Sequence, residues 1–261
     1  MRIGARVRAE VKPLIGTAEG RRQLEMGAGG DRTMEVDRAA EAVVFEELQV
    51  VADRGERFSV LSEEAGLRAF GAQHPLVVVD PIDGSLNAKQ GIPFFNLMLA
   101  LLDGPTIDDV VVGCVINLTS GERWSAIKGQ GARHNGRPLD VLPRQQAGRI
   151  ELLGLESSPR SLKAAEALVA RSSKVRILGS MALSIAHTAA GGFDAFCAPV
   201  PMRVFDMAAG LLIIAEAGGV ATDVKGRSLG DVECTLASRT TLLCAPDRDS
   251  YALALQALTG S

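Results

Sequence analysis

Aromatic side chains are scarce in this sequence: one tryptophan, one tyrosine and eight phenylalanines among 261 residues. The core must therefore be built from Ala, Val, Leu and Ile, and little remains for a platform that stacks a nucleobase. A basic excess is also missing. Lys and Arg number 28 against 31 Asp and Glu, a net charge of −3, which argues against a nucleic-acid-binding surface. The four cysteines, Cys114, Cys197, Cys234 and Cys244, form no CxxC pair, so zinc-ribbon and thioredoxin-type readings have no support. Each lies in apolar sequence and reads as a buried free thiol. No stretch approaches 18 uninterrupted apolar residues, and the opening MRIGARVRAEVKPLIG has no apolar core of signal-peptide length. The expectation is a cytoplasmic protein with no membrane and no nucleic-acid partner. No GxGxxG follows a strand and opens a helix, which excludes a Rossmann-type dehydrogenase.

What is present has the profile of a globular α/β protein, with 47% hydrophobic and 23% charged residues. Residues 1–22 carry apolar positions at helical spacing until Pro13 ends or kinks the segment. MGAGGDRT, Met26–Thr33, reads as a loop, and EVDRAAEAVVFEELQVVAD from Glu35 as an amphipathic helix. RFSVLSEEAG is a short strand ending in acids. PLVVVD is a strand apolar on successive residues, as burial on both faces requires. Residues 91–141 read as antiparallel strands separated by DGP, SGE and NGR turns. From about Arg149 strands and helices alternate. The predicted fold class is layered α/β (α+β), with an N-terminal α+β part over 1–148 and a C-terminal α/β part over 149–261.

DPIDGS, Asp80–Ser85, leaves a buried-looking strand and places two acids three residues apart around a proline. Two carboxylates about 4 Å apart repel by roughly 4 kcal/mol at an effective dielectric near 20. Either they splay into water as an ordinary turn or a cation sits between them. Pro81 keeps Asp80 extended, and the turn can aim the Ile82 carbonyl alongside the Asp80 and Asp83 side chains, an all-oxygen set suited to a hard divalent cation. Gly84 and Ser85 at a helix start offer amides to an anion, although Ser85 taken alone is better explained as a plain N-cap. Asp206, before MAAGLLIIAEAGG, reads as a helix N-cap, with Gly218 and Gly219 as the stop. Asp37 is favoured by the dipole of its helix, and Thr33 lies four residues earlier. Glu63 and Glu64 carry little weight alone. Together, four acids end strands or start helices, where open α/β sheets place their ligands.

Read in order from Met26 to Gly219, LSEEAG, DPIDGS, KGQGARHNG, GSMAL and VFDMAAGLLIIAEAGG resemble the inositol monophosphatase/fructose-1,6-bisphosphatase superfamily of metal-dependent, lithium-sensitive sugar phosphatases. MGAGGDRTMEVD resembles the archaeal-type branch, whose members often hydrolyse both inositol monophosphates and fructose 1,6-bisphosphate. The resemblance implies that Glu63, Asp80 and the Ile82 carbonyl hold one Mg²⁺. It implies that Asp80, Asp83 and Asp206 hold a second, with a third ion near Glu63. The amides of Gly84 and Ser85 would bind phosphate, and Ser85, Asp37 and Thr33 would orient a metal-activated water for direct attack. Gly179, Ser180 and Ala182 are the implied substrate contacts, while Arg203, three residues before Asp206, is read from the sequence itself as a candidate for a second phosphate, with Arg176 a weaker one and an exposed surface cation the alternative for each. Mn²⁺ is the implied substitute metal, Li⁺ the implied inhibitor and a homodimer the implied assembly.

The chain departs from the family pattern at DAFCAPVP, where Ala198 stands in place of an acid that contacts substrate hydroxyls in many relatives. Two alternatives stay open at this level. One is a family phosphatase for another ester, such as histidinol phosphate or 3′-phosphoadenosine 5′-phosphate. The other is a non-catalytic family fold, which the intact acids oppose.

Overall fold

The computed structural model describes residues 2–141, 148–156, 158 and 162–260. The chain opens with α1 (Arg2–Val11), ended before Pro13, and a small hairpin of β1 (Gln23–Met26) and β2 (Arg32–Met34). The glycine-rich stretch expected as a loop is thus the tip of this hairpin. Helix α2 runs Glu35–Asp53, where the sequence period places it, and its first turn is fixed by Asp37, whose Oδ2 accepts from Met34 N at 3.0 Å.

A seven-stranded sheet follows, formed by β3 (Phe58–Ser62), β4 (Gly66–Asp83), β5 (Asn96–Leu102), β6 (Val110–Asn117), β7 (Arg123–Ile127), β8 (Ala132–His134) and β9 (Arg137–Pro138) in chain order. Strand β4 differs from the expected PLVVVD. Its residues 66–71 pair antiparallel with β3, and its residues 76–79 pair parallel with β3 in the same register block, so β4 embraces its neighbour. The short helix α3 (Ser85–Gln90) leaves directly from the end of β4.

The second sheet has five strands in the order β11-β10-β12-β14-β13: β10 (Ile150–Leu155), β11 (Ser172–Arg176), β12 (Ala195–Arg203), β13 (Val220–Thr222) and β14 (Arg239–Ala245). Its helices are α4 (Glu166–Ala170), α5 (Met181–Ala189), α6 (Ala208–Glu216) and α7 (Arg248–Thr259). The sequence reading ended on TLLCAP and had neither β13 nor α7, which Asp247 caps by accepting from Ser250 N at 2.7 Å.

Period-two alternation sorts the side chains into layers. Val79 and Leu97 face α1 and α2, while Val78 and Met98 face the other way, onto α5 and α6. In the second sheet Ala198 and Leu242 join that shared middle core, and Cys197 and Leu243 face α4 and α7. The result is five layers, helix–sheet–helix–sheet–helix. Helix α6, AAGLLIIAE, is apolar on nearly all sides because it lies inside, and its small residues let it approach the sheet. A Cβ on Gly113 of β6 would sit 2.7 Å from the Ala209 carbonyl oxygen. All four cysteines are buried and free, as read from sequence.

Candidate active site

Four structural devices bring the acids together. Strand β3 ends at Ser62, and Glu41 of α2 accepts from Ala65 N at 2.9 Å and from Ser62 Oγ, which fixes the turn carrying Glu63 and Glu64. Strand β4 delivers Asp80, Ile82 and Asp83 at its end, with Ile82 N donating to Asp80 Oδ1 at 3.0 Å. Gly84 then turns the chain with φ of +92°, where an added Cβ would meet the Gly179 and Phe94 carbonyl oxygens at 3.1 Å. Only glycine fits that passage. Asp206 arrives from the C-terminal part on the single turn Phe205–Met207 that precedes α6.

Single carboxylate oxygens of Glu63, Asp80 and Asp206 lie within 4.8 Å of one another, and all three residues are buried. Burial, then the charges of Glu63, Asp206 and Asp83, pushes the Asp80 carboxyl well above its ordinary range. Asp206 is pushed up to about 8, mainly by burial, with Arg203 opposing and Glu63 adding to the rise. Its Oδ1 is buried and accepts no hydrogen bond among the described residues. An all-oxygen set with repelling charges and an unused buried acceptor fits a hard divalent cation.

Arg203 occupies the middle of this cluster. Its Nε is 3.1 Å from Asp206 Oδ2, and its Nη1 pairs with Glu63 Oε1 and lies 3.3 Å from Asp31 Oδ2. Burial works against its charge, but Asp206, Glu63, Asp80 and Asp31 together hold it protonated. The hairpin tip packs on the same place: Ala28 N and Gly29 N donate to the Glu64 and Glu63 carbonyls at 2.9 and 2.7 Å. A Cβ on Gly29 would sit 2.9 Å from both Arg203 Nη1 and Glu63 Cγ.

Beside the cluster, Ser85 Oγ is 2.8 Å from both Asp37 Oδ1 and the Ile82 carbonyl oxygen. Ser85 is the first residue of α3, and the cap position belongs to Gly84, so the N-cap reading of Ser85 is corrected. Burial raises Asp37 to about 6, with the Ser85 bond opposing. Thr33 does not join this pair. Its hydroxyl donates to Glu64, whose carboxyl burial raises to about 7. Glu64 was weighed with Glu63 and given no role from sequence; the structure sets it beside Thr33 at the rim of the cluster. Acids and Ser85 line a cavity of about 260 Å³ together with Arg203.

Asp83 lines the same cavity, and its charge acts on Glu63, Asp80 and Asp206, while its oxygens are also held from the side of α5. Its Oδ2 accepts from Ser180 Oγ, Asn96 Nδ2 and Ala182 N at 2.6, 2.7 and 2.8 Å, and its Oδ1 from Met181 N at 3.1 Å. Ser180 and Ala182, expected at the substrate, are buried and hold Asp83 to the start of α5. Gly179 lies against Gly84 and Asn87 through its carbonyl. Arg176 is exposed on the edge strand β11, with its guanidinium on the Val175 carbonyl. Asp206 caps nothing: α6 starts after Met207 without a side-chain cap, so its N-cap reading is also corrected. Gly218 and Gly219 do close α6, donating to the Ala215 and Ile214 carbonyls.

Alternating sheet and helix layers around a buried carboxylate cluster at a strand end define the class of layered sugar-phosphatase folds. The chain belongs to the inositol monophosphatase family, whose model matches residues 3–260. It is 32% identical to a fructose-1,6-bisphosphatase/inositol-1-monophosphatase of Methanothermobacter thermautotrophicus, over 99% of this chain and 94% of that protein. It is 35% identical to an inositol-1-monophosphatase of Mesorhizobium japonicum, over 78% of this chain and 76% of that one. A solved inositol monophosphatase–fructose 1,6-bisphosphatase superimposes with a TM-score of 0.84 at 26% identity, covering 98% of this chain and 97% of the other.

Proposed function

We propose that the protein is a Mg²⁺-dependent phosphatase that hydrolyses sugar or polyol phosphate monoesters, inositol monophosphate and fructose 1,6-bisphosphate foremost. The observation that carries this reading is the buried Glu63–Asp80–Asp206 cluster beside the Ser85–Asp37 pair, in a chain of this family. Glu63, Asp80 and the Ile82 carbonyl would hold one ion, and Asp80, Asp83 and Asp206 a second, with a third near Glu63. Bound there, divalent charge polarises phosphoryl oxygens, acidifies water and stabilises a leaving alkoxide.

The chain's own groups supply the rest. The Gly84 and Ser85 amides receive phosphate oxygens at the start of α3. Ser85 Oγ, held by its bond to Asp37, takes a hydrogen bond from the attacking water, and Asp37 is poised near neutrality to accept a proton. Water forms the new P–O bond and gives a proton to Asp37, the ester bond breaks and the leaving alkoxide takes a proton from solvent, to which Asp37 returns its own, so no protein nucleophile is needed. Arg203, which pairs with Glu63 and Asp206, would meet a second phosphate once divalent charge replaced it there. Mn²⁺ is the expected substitute and Li⁺ the expected inhibitor. The protein is proposed to act as a homodimer in the cytoplasm.

Chelator-treated protein titrated with Mg²⁺, with phosphate release followed on inositol 1-phosphate and fructose 1,6-bisphosphate, tests the reading. Mg²⁺-dependent turnover of either ester is expected. Absence of turnover on both, with histidinol phosphate or 3′-phosphoadenosine 5′-phosphate hydrolysed instead, would move the substrate assignment.

A further inference from the structure

The groups assigned so far meet phosphate, metal and water; none meets the alcohol part of the ester. In-line displacement puts the leaving alcohol opposite the attacking water. The water side is set by Ser85 and Asp37, on α3 and α2. The alcohol therefore lies on the other side, where Asp83 is tied to α5 and the second sheet begins.

Glu156 is the carboxylate of the second sheet on which the Asp83 charge acts. It is the residue after β10, at the carboxyl end of a parallel strand pair, where α/β sheets present ligand groups. Its backbone N–H donates to the Cys197 carbonyl at 2.9 Å, which pins it to the neighbouring strand β12. Its Oε2 is buried and has no hydrogen-bond partner among the described residues. Buried carboxylate oxygens without a partner are rare and need a reason. Burial raises the Glu156 carboxyl to about 7, and the Asp83 charge adds to the rise, so the two acids share one neighbourhood. On β12 the adjacent position is Ala198, fully buried and without a polar side-chain atom, so that strand offers no acid for the task.

We propose that Glu156 is the group that recognises the sugar or polyol: a substrate hydroxyl donates to its unpartnered Oε2 and orients the ester for in-line attack. The inference rests on the phosphatase reading of the same site. It assigns to β10 a substrate-hydroxyl contact.

The test compares Glu156→Gln and Glu156→Ala with the unaltered protein at saturating Mg²⁺, on inositol 1-phosphate and on phenyl phosphate, which has no hydroxyl to recognise. For Glu156→Ala, kcat/KM on inositol 1-phosphate should fall about 10- to 100-fold, the size of one hydrogen bond to a charged acceptor. The loss should appear mainly in KM. Glu156→Gln, which keeps an acceptor oxygen, should recover part of it. Phenyl phosphate turnover and inhibition by inorganic phosphate should stay unchanged, and the melting temperature should hold or rise because an unpartnered buried carboxyl has been removed. Equal losses on both esters, a lowered melting temperature with weakened Mg²⁺ binding, or no change on either ester would each overturn the role of Glu156 while leaving the phosphatase reading intact. Unaltered protein that releases phosphate from neither ester, nor from fructose 1,6-bisphosphate, histidinol phosphate or 3′-phosphoadenosine 5′-phosphate, would overturn the phosphatase reading, and the role of Glu156 with it.

Discussion

At the scale of single residues, the site is a problem of uncompensated charge. Arg203 is the one cation that the described residues set among Glu63, Asp80 and Asp206. Removing one partner from such a buried arrangement costs about 3–5 kcal/mol. Arg203→Met should therefore destabilise the metal-free protein by that order, and saturating Mg²⁺ should restore much of the loss; chemical denaturation with and without metal measures both. The Ser85–Asp37 pair belongs to the reaction rather than to stability. Ser85→Ala should lower kcat by about 100- to 10,000-fold, the usual range for a proton-handling group, with Mg²⁺ affinity measured by calorimetry little changed. Much of this was legible in sequence. DPIDGS and the late aspartate brought out Asp80 and Asp206, because acids at a strand end and before a helix are local signals. The destination of Arg203 was half legible: its spacing to Asp206 is local, but its pairing with Glu63 spans 140 positions and depends on the two sheets facing each other. Ser180 and Ala182 entered as substrate contacts through the resemblance alone; that both are buried and hydrogen-bonded to Asp83 is a long-range fact that no local pattern carries.

Elements show the same division between local and distant causes. Helix α2 was readable to its ends, since its period and the Asp37 bond to Met34 N are both local. The first half of β4 was not. LRAFG carries little apolar alternation, and its partner is β3, which the same chain also pairs on the far side. Helix α7 carried its cap, Asp247, and an Ala/Leu pattern, so its signal was present and passed over. The contact of β6 with α6 was invisible in sequence because it depends on what Gly113 lacks. A side chain there would collide with backbone at Ala209. Gly113→Val should cost about 1–3 kcal/mol through overpacking, read as a lowered denaturation midpoint with unchanged slope. Because α6 follows Asp206 directly, the same substitution should also weaken Mg²⁺ binding.

For the whole molecule, five layers share a middle core, and the acids lie where the two sheets' contributions meet. That location makes stability depend on pH. Asp37, Glu64 and Asp206 have folded values of about 6, about 7 and about 8, above the ordinary carboxylate range near 4. Between about pH 4 and pH 8 the metal-free folded state thus binds more protons than the unfolded chain, and its stability falls as pH rises. Glu35 and Glu47, held below their usual range by hydrogen bonds to Arg38 and Arg22 and to Arg6 and Arg2, act oppositely. Their contribution is lost only as pH falls below about 4. The melting temperature of chelated protein should therefore peak near pH 5 and drop by more than about 4 °C by pH 8, equivalent to 1–2 kcal/mol at this size. Saturating Mg²⁺ should flatten that slope, since ligand binding to the folded state adds stability where the acids are ionised.

The central claim is that Glu63, Asp80 and Asp206 hold the divalent cation that hydrolysis requires. It is tested most directly by titrating Mg²⁺ into chelated unaltered protein and Asp80→Asn in a calorimeter and following phosphate release from inositol 1-phosphate in the same samples. The account predicts tight binding and Mg²⁺-dependent turnover in the unaltered protein, with both lost in a folded Asp80→Asn. Turnover that survives chelation, or that persists in Asp80→Asn without bound Mg²⁺, would contradict it.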